Sequence, residues 1–155
     1  MAFDQFIWLL FIGITFVSAY TMKSRTQSFA DMNPELEKGY KDAFRAMIFF
    51  GNLPWLVMGA GILSGQVKGV SGFFGNNRPG PFTLAFFAVI IADYLVLVWW
   101  IFRRGGAEFL EKHPGIIRSY GSEGLTAKQV KQRIMITAVA ALVAIVFVVF
   151  GSSKK

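Results

Sequence analysis

Four stretches of the chain carry almost no charge, and each is close to the ~20 residues that cross a bilayer as a helix. They run from Gln5 to Met22, Ala46 to Val67, Phe82 to Phe102 and Ile134 to Ser153. Charged residues bound them: Asp4 and Lys23, Arg45 and Lys68, Arg103, and finally Lys154 with Lys155. Only the third contains a charge, Asp93. None shows the period-two alternation of a barrel strand, and hydrocarbon accepts only helices or closed barrels. The pattern predicts an all-α, polytopic membrane protein, a single four-helix transmembrane domain over residues 1–155.

The flanking residues carry start and stop signals. Asn33-Pro34-Glu35 reads as an N-cap, a proline at the first helical position and an acidic first turn. The second helix is therefore expected to begin about three turns before the membrane, with Leu36, Tyr40 and Phe44 as an apolar stripe. Pro54 lies inside that helix and predicts a kink there. Thr126 to Gln129 matches a capping box, so the fourth helix also starts in water. Ala107 to Lys112 predicts a short helix ended by His113-Pro114-Gly115. Gly72 to Pro81, rich in Gly, Asn and Pro, reads as a tight connection without regular structure.

Charge sets the expected orientation. The segments 23–45 and 103–133 carry twelve Lys and Arg, against four in the N-terminus, the segment 68–81 and the C-terminus together. The positive-inside rule then places both basic loops in the cytoplasm, with the extension of the second helix, and both termini outside. The first apolar run has no basic segment before it, so it reads as a retained helix and not a cleavable signal. The formal charge of +7 points to anionic lipid and orientation, not to nucleic acid, because the bases sit between apolar runs. Arg78, Arg103, Arg104 and Arg133 are the expected headgroup contacts.

Asp93 is the first candidate for chemistry. At about 16 Å into its span it stands near the bilayer midplane, where an ionisable residue marks a functional site by default. Ala85, Ala88 and Ala92 form a small-residue face beside it, which predicts that Asp93 points into the bundle. Asn52 and Thr15 reach a similar depth, so Thr15, Asn52 and Asp93 are candidates for one polar layer that couples an ion or a proton. Three separately satisfied polar residues are the competing reading. Pro54 and Trp55 mark a helix break that frees the carbonyl of Phe50, a device that forms cation sites in transporters; Trp55 reads foremost as a packing residue. Gly59, Gly61 and Gly65 add close-packing surface, Gly61 and Gly65 at GxxxG spacing.

The remaining composition excludes more than it assigns. One histidine and no cysteine exclude a zinc site and a bis-histidine haem, leaving pigment or quinone contact open. One acid inside a span cannot supply an aspartyl pair, and no P-loop or paired-acid metal cluster appears. The longest polar segment, residues 103–133, has 31 residues, too few for a core of its own. Enzymatic activity is therefore not expected. Two readings follow: a non-catalytic subunit or accessory factor of a larger membrane assembly, or a small homo-oligomeric ion- or proton-coupled transporter or channel with Asp93 as the coupling group. The expected partners are the bilayer, anionic lipids, and other membrane subunits or copies of the chain.

Overall fold

The structure, a computed structural model, describes residues 3–74, 79–117 and 124–151, with side chains up to residue 140. The described residues are helices and turns with no strand: α1 (Ile7–Met32), α2 (Glu37–Leu63), α3 (Ser71–Phe74), α4 (Pro81–Arg103), α5 (Gly106–Lys112) and α6 (Ala127–Gly151). Two compact units emerge, Met1–Leu97 and Val98–Lys155.

Three helical segments are long and apolar enough to cross a membrane: Ile7–Met32, Pro34–Leu63 and Pro81–Arg103, the last with a mean hydropathy of 2.3. Their surfaces are turned inside out relative to a water-soluble domain. Leu10, Val17, Leu84, Ile91 and Leu95 are each more than half exposed, as expected where lipid is the solvent.

In the first unit α1 and α2 pair as a helical hairpin. α1 has 26 residues and α2 has 27, so each is about 40 Å long and overshoots a hydrocarbon core of about 30 Å. α1 does not stop at Lys23 but continues to Met32, since charged residues beyond the apolar run are compatible with helix in water. At the turn the expected cap is replaced. Pro34–Leu36 forms one 3₁₀ turn before α2 begins, and Asn33 sends its side-chain amide back to the Phe29 carbonyl (3.4 Å) instead of capping. Tyr40 is buried and Phe44 packs edge-on to Tyr20 at 5.4 Å, so the stripe of the extension faces α1. Ion pairs Lys38–Asp42 (2.8 Å) and Lys41–Glu37 (2.7 Å) run along its exposed side.

α2 ends at Leu63, four residues before the apolar run does. Gly65 adopts a positive φ of 73°, the left-handed conformation that closes helices and that glycine enters without a side-chain clash. Its N–H bonds the Ile62 carbonyl and Val67 N–H bonds that of Gly61. The connection that follows is not wholly irregular, because Ser71–Phe74 forms a single helical turn. Asp4 holds that turn: its carboxylate accepts from Ser71 Oγ (2.9 Å) and Ser71 N–H (3.3 Å), and its carbonyl accepts from Val70 N–H. α4 approaches α2 through the cluster Met58, Phe73 and Phe86, with Phe82 packed against it.

The second unit is built around Ile101, Ala107 and Val130, packed with Trp100, Leu110 and Leu125. Gly105, at φ 73°, turns the chain from α4 into α5. Gly106 then lies so close to Trp100 that a Cβ would sit 2.6 Å from the indole. The capping box of α6 forms as expected: Thr126 N–H donates to Gln129 Oε1 (3.0 Å) and Gln129 N–H to Thr126 Oγ1 (3.3 Å). α5 ends at His113, also as expected.

Candidate functional site

The face of α4 that turns inward is set by size. Phe82 and Phe86 fill the space beside Gly61 and Met58: a Cβ on Gly61 would lie 2.9 Å from Phe82 Cβ, and Phe86 is 1% exposed. At ~100° per residue Asp93 lies about 20° around the helix from Phe86, on this same stripe. Asp93 is half-buried and makes no hydrogen bond or ion pair with a described residue. Ala85, Ala88 and Ala92 are exposed and occupy the other side of α4. By helical azimuth Asp93 lies nearer to Phe86 than to the small-residue face.

On α2, Pro54, Met58 and Gly61 are all buried and spaced at four and three residues. Gly61 lies against Phe82, and Met58 and Phe86 belong to one buried cluster with Phe73. Pro54 has no N–H, so it offers no helical bond to the Phe50 carbonyl one turn earlier. Trp55, next to it, stacks on Phe11 (4.3 Å between centroids, 17°) and touches Phe86 at 6.0 Å. It is a packing residue between three helices of this unit.

Thr15 and Asn52 are placed differently. Thr15 Oγ1 donates to the Phe11 carbonyl of its own helix (3.0 Å) and approaches the Gly51 carbonyl at 3.4 Å. Asn52 is 6% exposed; its Nδ2 donates to the Ile48 carbonyl (2.7 Å), and its Oδ1 is buried without a partner among the described residues. Two residues along a helix lie about 200° apart, so Asn52 faces away from the Pro54 stripe. No hydrogen bond joins Thr15, Asn52 and Asp93. Tyr94 Oη, buried and without a partner among the described residues, was not signalled by the sequence, nor was the tie from Asp4 to Ser71; neither residue has a local motif.

The close-packing glycines part company as well. Gly59 lies against Trp8, where a Cβ would come within 2.7 Å of the indole, and Gly61 lies against Phe82 and Phe73. Gly65 lies beyond the helix end with open space around it, so Gly61 and Gly65 do not share a helical face.

Of the basic residues, Arg78 lies outside the described residues. Arg103, Arg104 and Arg133 are exposed, and Arg104 stacks its guanidinium over Trp99 at 5.2 Å. Lys131 pairs with Glu108 at 2.7 Å, and that hydrogen bond holds the Glu108 carboxyl below its usual range. His113 is buried, stacked on Phe109 at 4.0 Å, with Nδ1 2.7 Å from the Phe109 carbonyl. A carbonyl only accepts, so Nδ1 carries a hydrogen. Among the described residues no group of His, Asp and Glu is disposed to hold a metal ion. Compared with known proteins, the chain matches no family model, no curated protein and no solved structure.

Proposed function

We propose that the chain is a non-catalytic subunit or accessory factor of a larger membrane protein assembly. The observation that supports this is the line of Ala85, Ala88 and Ala92, which lies exposed on α4 opposite the side engaged with α2. Small residues at that spacing let a second helix approach closely, which is how membrane helices associate when lipid is as apolar as they are. Gentle extraction from the native membrane, followed by particle mass and composition, tests the reading. Other polypeptides in fixed ratio are expected; a particle of this chain alone would sink it.

The second reading is a homo-oligomeric ion- or proton-coupled transporter or channel with Asp93 as the coupling group. It is favoured by Asp93, half-buried on α4 without a hydrogen-bonding partner among the described residues. In both readings α6 supplies a fourth crossing, α2 bends at Pro54, and the Arg103, Arg104 and Arg133 side chains meet anionic headgroups. The charge balance puts residues 23–45 and 103–133 in the cytoplasm and both termini outside. The chain has no cysteine, so a single cysteine introduced at Gly124 reports on one position. It should label only after permeabilisation, whereas labelling from outside would invert the orientation.

A further inference from the structure

We propose that the α1–α2 hairpin, near the turn that joins its helices, holds a site for the phosphate of an anionic phospholipid between Lys23 of α1 and Arg45 of α2. The site rests on the membrane crossing of these two helices alone, whichever reading of function holds.

The apolar pattern places the two cations. Lys23 is the first charge after the apolar run of α1, and Arg45 is the last before that of α2. The helices are packed together at this level. Phe44 meets Tyr20 edge-on at 5.4 Å, and the Lys23 ammonium lies 5.6 Å from the centre of the Phe44 ring. Lys23 and Arg45 line one groove of about 760 Å³ between α1 and α2. Both are exposed, so each keeps its charge at the height where lipid headgroups stand.

The acids of the groove lie elsewhere and are engaged. Asp31 is eight residues beyond Lys23, and Glu37 is eight residues from Arg45, each about 12 Å further from the apolar runs. Asp31 accepts from Gln27 Nε2 at 3.1 Å, and Glu37 pairs with Lys41 at 2.7 Å. Asp42, outside the groove lining, is bound to Lys38 at 2.8 Å and stands 3.9 Å from the Arg45 guanidinium. Lys23 makes no ion pair among the described residues. The end of the groove next to the bilayer is therefore lined by two cations and no acid.

A phosphate ester answers this arrangement. Ammonium and guanidinium groups only donate, and the guanidinium fork matches phosphate oxygens. The surface below the cations favours a lipid as its source. Seven residues along a helix return to within about 20° of the same side, and four residues to within about 40°. Phe16 thus lies below Lys23 and Phe49 below Arg45, and both rings are exposed. Acyl chains hanging from a phosphate held between the cations run over these rings; a soluble phosphate would use the cations alone.

The test titrates the full chain, purified in mild detergent, with phosphatidylglycerol or phosphatidylcholine and counts bound lipid by native mass spectrometry. One phosphatidylglycerol should bind first and more tightly than phosphatidylcholine, whose quaternary ammonium would be brought beside the same cations. Lys23→Gln and Arg45→Gln should each weaken that first binding about fivefold, the weight of one basic side chain at an anionic surface. Lys38→Gln removes the same charge outside the groove and should leave it unchanged. Circular dichroism should show the same helix content in all three, since the altered side chains are exposed. Equal losses in the three variants would reduce the effect to net charge and overturn the site, as would no loss at Lys23→Gln and Arg45→Gln. Glycerol 3-phosphate bound as tightly as phosphatidylglycerol would assign the groove to a soluble phosphate ester and overturn the lipid. The composition of the native particle tests the subunit reading separately.

Discussion

Replacing Gly59 with valine is expected to destabilise the α1–α2 hairpin by about 3 kcal/mol, the upper part of the range for overpacking a tight interface. A Cβ at this position would come 2.7–2.9 Å from three atoms of the Trp8 indole. The indole cannot simply swing aside. It is a rigid fused ring, and its Nε1 donates to the Gln5 carbonyl at 3.0 Å, a bond that a displaced ring would lose. The hairpin must therefore open or α2 must move. Gly13→Ala is the matched control, because nothing lies within 4 Å of a Cβ there; its effect should stay within about 0.5 kcal/mol. Unfolding titrations in mixed micelles, followed by tryptophan fluorescence, measure both. Equal effects from the two substitutions would mean that the Trp8–Gly59 contact does not limit the hairpin.

The second large effect is expected at Phe86, where truncation to alanine should cost about 3 kcal/mol. In water most of such a loss would be a transfer term, but in a bilayer the released surface meets hydrocarbon again and that term nearly vanishes. What remains is the void. A residual cavity of ~100 Å³ at ~24 cal/mol per Å³ gives roughly 2.4 kcal/mol. Phe86 also makes ring contacts with Phe73 at 5.4 Å, Phe87 at 5.3 Å, and Trp55 and Phe74 at 6.0 Å; an edge-on pair contributes about 0.5–1.5 kcal/mol. Ile91→Ala, on a side chain 58% exposed, should change stability by well under 1 kcal/mol by the same reasoning. The same titration decides it: if Phe86→Ala is as mild as Ile91→Ala, the cluster around Met58 does not hold α4 to α2.

The contrast between Phe86 and Ile91 also explains which parts of this protein could be read from its sequence. Long charge-free runs report helices directly, because a bilayer tolerates little else, and the cap at Thr126 and stop at His113 are local chemistry. Helix ends set by water or by one backbone angle are less visible. The continuation of α1 past Lys23 and the end of α2 at Gly65 both fall where the apolar pattern says something else. The orientation of α4 was harder still. In a soluble helix the apolar side faces the core, but every side of α4 is apolar, so periodicity does not say whether the alanines or the phenylalanines turn inward. Volume decides that, through the glycines of α2 that leave room for Phe82. For the candidate site, Asp93 and Pro54 stood out by residue type alone. The side of α4 that turns toward α2 depends instead on a contact eleven residues before Asp93, at Phe82.

The early end of α2 bears on how much bilayer the hairpin can match. With the helix closed at Leu63, the uncharged part of α2 from Ala46 onward is 18 residues, or about 27 Å at 1.5 Å per residue. The uncharged part of α1, from Ile7 to Met22, is 16 residues, or about 24 Å. Both lengths fall at or below the ~27 Å of the thinner biological bilayers and short of the ~32 Å of sterol-rich ones. By closing α2 at Leu63, Gly65 sets the uncharged length of that helix.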